Sequence, residues 1–188
     1  MFMLAIGIAL FSAIHFLPSV TPGKREDLID NIGPKLYRGV FALDVLIGII
    51  LMIWGYRVAE WVHVYDPPSW GVHLNNLLML VAVYLMGVGG ASGWLATKMR
   101  HPMLFGVIVW AVAHLLVNGD QASILLFGGM GLWAVGMMFM LNRRIGAWAP
   151  PKHCGAMGEF RLILISVAIF AVITFAHGFM LGVNPFPG

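Results

Sequence analysis

Apolar residues fill most of this chain in long stretches, which are separated by short polar segments rich in proline and glycine. A membrane-spanning helix needs roughly 20 mostly apolar residues, because the hydrocarbon core of a bilayer is about 30 Å thick. Six stretches reach or approach that length: Phe2–Leu17, Val40–Val58, Leu74–Gly90, Pro102–Val117, Ala122–Leu141 and Phe160–Val183. The pattern predicts an all-α, polytopic membrane bundle of about six transmembrane helices, with residues 1–188 forming a single domain.

The composition is typical of a membrane protein. Of the 188 residues, 60% are apolar and 10% are charged, whereas about a quarter of the residues in a soluble domain are charged. A soluble fold of this size has too little interior to bury so much apolar surface. The formal net charge is +3, but the basic residues do not cluster on one polar face. We therefore expect membrane lipid as a partner and exclude nucleic acid.

The basic residues indicate the orientation of the bundle. Ten of the eleven lysines and arginines fall in the first, third and fifth loops or at the start of the last helix. They are Lys24, Arg25, Lys35, Arg38, Lys98, Arg100, Arg143, Arg144, Lys152 and Arg161. By the positive-inside rule these loops face the cytoplasm, so both termini are expected on the non-cytoplasmic face. Residues 1–20 contain no lysine or arginine and are interpreted as a retained first span rather than a signal peptide.

Three histidines lie inside predicted spans, where an ionisable group is costly and is therefore a candidate for function. They are His15, His114 and His177. Each lies on an apolar or aromatic helix face, and Gly7 and Gly106 are expected to leave room beside the first two. This arrangement suits a flat b-type haem, which needs axial side chains and an apolar slot. The alternative is that each imidazole only hydrogen-bonds to a neighbouring helix.

The depths of the three histidines favour His114 and His177 as a pair of ligands, but they do not exclude the pair His114 and His15. At 1.5 Å per residue, His114 and His177 lie roughly 18 Å and 24 Å from the basic edge, whereas His15 lies within about 8 Å of it. His114 belongs to both candidate pairs, so we predict it as an axial haem ligand together with either His15 or His177. Trp110 and Asn118 share a helix face with His114 and are included in the predicted haem site.

Charged residues near the basic edge allow two interpretations each. Arg100 is a candidate partner for a haem propionate, and the alternative is that it only fixes the topology. Asp44 is expected to pair with Arg38 or Lys35 at the membrane edge. The alternative is that its carboxylate hydrogen-bonds to His15 and orients the imidazole as a metal ligand.

The sequence also excludes several kinds of site. Cys154 is the single cysteine, so an intramolecular disulfide and a multi-cysteine metal site are excluded, and we interpret it as a spectator thiol in a loop. No Cys-x-x-Cys-His motif for covalent haem attachment is present. The zinc motif His-Glu-x-x-His and the Gly-x-Ser-x-Gly nucleophile elbow are absent as well.

The candidate residues lie in segments that resemble a known family. The block Arg100-His-Pro-Met-Leu-Phe-Gly-Val-Ile-Val-Trp-Ala-Val-Ala-His-Leu-Leu-Val-Asn-Gly119 resembles the signature of the NnrU family of bacterial membrane proteins. Further pieces of the chain are similar to the family as well. They are His15-x-x-Pro18, Arg38-Gly-Val-Phe, Ile53-Trp-Gly-Tyr56, His73-Leu, Leu77-Leu-Met-Leu80 and the final His177. The resemblance covers most of the chain.

The resemblance implies a bacterial inner-membrane protein linked to denitrification, the respiratory reduction of nitrogen oxides. The family is related to 15-cis-zeta-carotene isomerase, a membrane enzyme of plants and cyanobacteria that contains b-type haem. The two histidines thought to bind its haem correspond here to His15 and His114, so the resemblance favours this pair as the axial ligands, with His177 as the alternative partner of His114. A cysteine that takes part in redox-dependent ligand switching in the isomerase corresponds here to Ala111, so this chain lacks that switch.

Three functional hypotheses follow. The first is a haem b membrane protein of nitrogen-oxide or redox metabolism. The second is a haem-dependent cis–trans isomerase acting on a lipid-soluble polyene such as a carotenoid. The third is a haem-free scaffolding subunit whose partners are other membrane subunits. An absorption spectrum of the purified protein separates the first two hypotheses from the third.

Overall fold

The computed structural model describes residues 1–181 and 185–186. Within them the chain forms seven α-helices and no β-sheet. The helices are α1 (Phe2–Val20), α2 (Pro22–Ile32), α3 (Pro34–Arg57), α4 (Gly71–Ala91), α5 (Pro102–Leu115), α6 (Gln121–Ile145) and α7 (Gly155–Leu181). A short 3₁₀ turn at Trp94–Thr97 follows α4. Three of the helices, α2, α3 and α5, begin at a proline, which fits the first helical position because its missing N–H has no intrahelical partner there.

The helices confirm the predicted membrane bundle of about six spans. Five of them, α1, α3, α4, α6 and α7, are long and apolar enough to cross a membrane. The sixth apolar helix, α5, has 14 residues and rises only about 20 Å, less than the thickness of the hydrocarbon core. The chain is thus a multi-pass membrane protein. The helix α2 was not predicted; its composition is polar, and it lies in the first basic loop.

The predicted boundaries hold to within a few residues, with two differences. The helix α3 begins at Pro34, six residues before the predicted Val40, because the polar residues after Pro34 continue the helix beyond the apolar stretch. The helix α7 begins at Gly155, five residues before the predicted Phe160. The predicted end of the last span, Val183, lies outside the described residues. The orientation of the bundle stays a prediction, and we call the end that carries the basic loops the basic end.

Small residues bring two pairs of helices into close contact. The helix α1 packs on α3, and α4 packs on α5. A Cβ atom on Gly55 of α3 would lie 2.3 Å from the backbone nitrogen of Leu4 in α1. A Cβ on Gly106 of α5 would lie 2.9 Å from the carbonyl oxygen of Ala82 in α4. Without side chains at these points the backbones meet, which is the usual way that membrane helices gain packing energy.

The helix α6 joins the two pairs, and α7 packs on the outer side of α4. The helix α6 contacts both α1 and α5, and its buried Trp133 belongs to the main apolar cluster, together with Leu4 and Met52. The contact of α4 with α7 is formed by Leu85, Val88 and Leu162. Large apolar side chains elsewhere point outward, as expected for helix faces that contact lipid.

Candidate functional site

A stacked pair of rings lies at the centre of the candidate site. The imidazole of His114, on α5, lies 4.4 Å from the ring of Phe127, centroid to centroid, with 21° between the planes. Phe127 belongs to a π-helical segment of α6, Ile124–Gly128. Such segments interrupt the α-helical register and are found frequently at functional sites. Sequence reasoning missed Phe127, because neither apolar periodicity nor composition signals a π-helical segment.

The polar contacts of His114 are local. Its Nδ1–H donates to the carbonyl oxygen of Trp110, at 2.9 Å, and the Trp110 ring lies 5.2 Å from the imidazole. The side-chain amide of Asn118 donates to the carbonyl oxygen of His114, at 2.9 Å. With Nδ1 donating, the neutral imidazole keeps the lone pair of Nε2, which is the atom that binds metals. The structure therefore brings together three predicted site residues: His114, Trp110 and Asn118.

The second predicted histidine of this region, His177, faces His114 from α7. The two ring centroids lie 6.3 Å apart, with 29° between the planes. The Nδ1–H of His177 donates to the carbonyl oxygen of Ile173, at 2.9 Å. Its Nε2 is therefore also left with a free lone pair. The structure places these two histidines at one depth, as the count along the helices suggested.

A clamp of two loops closes the end of α5 next to His114. The backbone N–H groups of Val64 and Tyr65 donate to the carbonyl oxygen of Gly119, at 2.9 and 3.1 Å. The phenol of Tyr65 donates to the carbonyl oxygens of Leu115 and Asn118. A Cβ on Gly119 would lie 1.8 Å from the carbonyl oxygen of Tyr65, so only glycine fits. The clamp thus satisfies backbone groups beyond the end of the short helix, where water is scarce.

Asp120 fixes the start of α6 beside this clamp. It is buried, and its carboxylate accepts hydrogen bonds from the backbone N–H and the hydroxyl of Ser123. The phenol of Tyr56 lies 2.9 Å from the same hydroxyl. In the sequence, Asp120 lies in the short segment between the predicted spans Pro102–Val117 and Ala122–Leu141. The structure shows that Asp120 caps α6 and thereby positions the π-helical segment that carries Phe127.

Outside the spans, the pKa of Tyr65 is raised from its usual value. Burial is the larger cause, and the negative charge of Asp120 adds to it. The phenol therefore stays protonated and keeps donating its hydrogen bonds through the neutral pH range.

His15 lies in a different aromatic cluster, nearer the basic end. Its ring lies 4.2 Å from Phe11, 5.4 Å from Phe41 and 5.1 Å from Trp133, measured between centroids. Its Nδ1–H donates to the carbonyl oxygen of Phe11, at 2.7 Å. No ring contact joins His15 to His114 among the described residues. Their partners on α6, Trp133 and Phe127, are six residues apart, which corresponds to about 9 Å along the axis.

Two expectations about the surroundings of the histidines are wrong. The space beside Gly7 and Gly106 is filled by neighbouring helices, because a Cβ on Gly7 would lie 2.7 Å from the backbone nitrogen of Met52. These glycines serve helix packing and do not leave room for a cofactor. Asp44 makes no hydrogen bond or ion pair with Arg38, Lys35 or His15 in the part of the chain that the structure describes.

Three buried polar atoms have no hydrogen-bond partner among the described residues. They are Oδ1 of Asn75, Nη2 of Arg100 and Nε1 of Trp133. The Trp133 N–H lies in the cluster around His15, and Arg100 lies two residues before the start of α5 at the basic end. An unpaired polar atom inside a bundle costs free energy, so such atoms mark places where a ligand or water can bind.

An apolar cavity of about 560 Å³ lies along α7, in the turns that flank His177. Its lining includes Phe170, Thr174 and Gly178 of α7, and Phe186 closes one side. Cavities that hold cofactors have volumes of about 300–1,000 Å³ and mostly apolar walls. The size and lining are therefore suitable for a flat aromatic group, although His177 itself does not line this cavity.

Comparison with known proteins gives one match. A family model described as NnrU protein matches residues 3–185, nearly the whole chain. No curated protein and no solved structure matches the chain.

Proposed function

The chain belongs to the NnrU family, and from that premise we propose that it binds b-type haem in the inner membrane of a bacterium and transfers electrons in nitrogen-oxide respiration. The observation that carries the proposal is the pair His114 and His177. Each donates its Nδ1–H to a carbonyl of its own helix, and each leaves Nε2 available in an apolar region. Anchoring of the far ring nitrogen is the usual arrangement behind a metal-ligating histidine.

The spacing of the two rings fits axial ligation of one iron. A metal about 2 Å from an imidazole nitrogen lies about 3 Å from that ring's centroid. Two imidazoles on opposite sides of one metal thus have centroids about 6 Å apart, and those of His114 and His177 are 6.3 Å apart.

The residues around the pair have definite tasks in this proposal. His114 and His177 would hold the iron, and the carbonyls of Trp110 and Ile173 fix the orientation of the two rings. Phe127 covers one face of the His114 ring and excludes water. When bound, the haem supplies a one-electron redox couple. With both His114 and His177 holding it, such a haem would serve electron transfer rather than binding of a gaseous substrate.

His15 remains the alternative partner, as the family resemblance implies. The observation in its favour is the Trp133 N–H, which is buried beside His15 and lacks an acceptor. Against it, the His15 and His114 rings contact points on α6 about 9 Å apart along the helix axis. One iron joining His15 to His114 would require these ring contacts to change. We therefore propose His177 as the partner of His114.

The test is the absorption spectrum of the protein purified from a haem-replete host in mild detergent. We expect a Soret band and the pyridine haemochrome of haem b, with about one haem per chain. His114→Ala should lose the haem or change it from low to high spin. The matched control is His101→Ala, at the other end of α5, where the ring lies 2.9 Å from the Asn142 side chain. A purified protein without a Soret band would overturn the proposal and favour the haem-free scaffold.

A further inference from the structure

A second cluster of metal-ligating side chains lies at the basic end and includes none of the three membrane histidines. His153, Cys154 and Glu159 each offer a ligand atom, and these three atoms lie within 4.8 Å of one another. They come from the loop before α7 and from its first turns. Each is a different type of ligand: an imidazole nitrogen, a thiol sulfur and a carboxylate oxygen. This mixture is typical of a site for a borderline-soft metal rather than for Mg²⁺ or Ca²⁺.

We propose that His153, Cys154 and Glu159 form a binding site for Zn²⁺. The Nε2 of His153 lies 3.2 Å from Oε2 of Glu159. Nitrogen and oxygen ligands about 2.1 Å from a tetrahedral ion are separated by about 3.4 Å, so these two atoms need almost no movement. The Cys154 sulfur, within 4.8 Å of both, closes the third corner after a rotation of its exposed side chain. Three protein ligands leave the fourth position to water.

Two hydrogen bonds from outside the proposed site fix the orientation of the Glu159 carboxylate. The phenol of Tyr84, on α4, donates to Oε1 of Glu159, and the backbone N–H of Trp94 donates to Oε2, at 2.8 Å. Metal-bound carboxylates are usually hydrogen-bonded in this way, which fixes their orientation before the metal arrives. Oε2 keeps a second lone-pair direction for the ion.

The backbone around the thiol is also fixed. The N–H of Cys154 donates to the carbonyl oxygen of Ser92, at 3.0 Å. A Cβ on Gly158 would lie 2.8 Å from the Cys154 sulfur, so glycine at this position gives the thiol its space. The segment from Gly146 to Cys154 is exposed throughout and has no apolar core of its own. A bound metal would connect the Cys154 end of this segment to α4 and α7. The free energy of metal binding would then order the loop.

The experiment uses the full-length protein in detergent, reduced, freed of metal by a chelator and carrying no histidine tag. Zn²⁺ binding is measured by equilibrium dialysis, and Co²⁺ serves as a spectroscopic probe through its thiolate-to-cobalt charge-transfer absorption. We expect one Zn²⁺ per chain, which displaces Co²⁺. Cys154→Ser should abolish the charge-transfer absorption, and His153→Ala should lower the affinity at least tenfold. Both side chains are exposed, so both variants should fold with an unchanged haem spectrum.

Two further variants sharpen the test. Tyr84→Phe should lower Zn²⁺ affinity about 10- to 100-fold, the usual effect of removing a group that orients a ligand. It should leave the stoichiometry and the cobalt absorption unchanged. The matched control is His63→Ala, because His63 lies 3.7 Å from Asp66 in an exposed pair that has no thiol. The proposal is overturned by an absence of saturable binding, by a cobalt absorption that survives Cys154→Ser, or by equal losses in His153→Ala and His63→Ala.

Discussion

The rings of His114 and His177 face each other across 6.3 Å, centroid to centroid, from two helices that have few other contacts. The helix α7 packs mainly on α4, and at this depth it presents a histidine to α5. Two imidazoles anchored by carbonyls of their own helices gain little from each other directly. The proposed haem iron between them would account for this spacing, and the proposal makes the contributions of the three membrane histidines separable.

The first prediction concerns the axial ligands. His177→Ala should convert a six-coordinate, low-spin haem spectrum into a high-spin one, because it removes one of two nitrogen ligands. His15→Ala should leave the spectrum low-spin, since its ring contacts Phe11 and Trp133 rather than His114. Electronic absorption and electron paramagnetic resonance of the ferric proteins measure the difference. The reverse result, a spin change in His15→Ala alone, would assign the second ligand to His15.

Arg100 provides an independent measure of where the haem lies. Along α5 it is separated from His114 by 14 positions, or about 21 Å, which is too far for contact with a propionate of a haem held by His114. We therefore expect Arg100→Gln to leave haem content and reduction potential unchanged. Redox titration of the purified variant is the measurement. A clear loss of haem or shift in potential would mean that the buried Nη2 of Arg100 pairs with a propionate near His15.

The packing of α1 on α3 gives a prediction about stability. Gly55→Ala should lower the free energy of unfolding by about 1–3 kcal/mol, the usual cost of overpacking, because the new Cβ would lie 2.3 Å from the Leu4 backbone nitrogen. The matched control is Gly39→Ala in the same helix, where nothing lies within 4 Å of the new Cβ. That change should be neutral or slightly stabilising. Thermal unfolding in detergent compares the two, and equal effects would contradict this close contact of α1 and α3.

The hydrogen bonds of Tyr65 in the loop clamp should make the stability of the protein depend on pH. Its pKa is raised above the unfolded value of about 10. Its contribution to stability is therefore fully present below about pH 10 and is lost as the pH rises through the folded-state pKa. Tyr65→Phe should be less stable than the wild type at neutral pH, by about 1–2 kcal/mol for the lost hydrogen bonds to Leu115 and Asn118. The difference should shrink above about pH 10. Unfolding curves that stay parallel across this range would exclude the effect.

The sequence predicted the helices well, because spans are encoded by uninterrupted apolar stretches that need no partner to be recognised. It also indicated that His114 and His177 share a depth, since the rise per residue is constant in a helix. The sequence did not predict that neighbouring helices fill the space beside Gly7 and Gly106. Gly7 and Gly106 contact neighbouring helices, and no periodicity within one helix tells which helix packs against it.

The features that the sequence missed depend on contacts between distant segments. Phe127 stacks on His114 only because a π-helical segment changes the register of α6. Cys154 was interpreted as a spectator thiol because the sequence alone does not show that Glu159, five residues on, lies within 4.8 Å of it. The capping role of Asp120 was also missed: its carboxylate accepts from Ser123, whose hydroxyl contacts Tyr56 from α3.

The shortness of α5 has a consequence for the surrounding bilayer. With 14 residues it rises about 20 Å, whereas α7, with 27, rises about 40 Å. Met103 and Val112 of α5 are exposed, so lipid contacts this short helix directly. A bilayer of uniform thickness does not match both lengths, and a hydrophobic mismatch of this kind is generally relieved by thinning of the bilayer beside the short helix and by tilting of the long one. The protein should therefore select short-chain lipids on one flank, and acyl chain length in reconstituted vesicles should regulate the separation between His114 and His177.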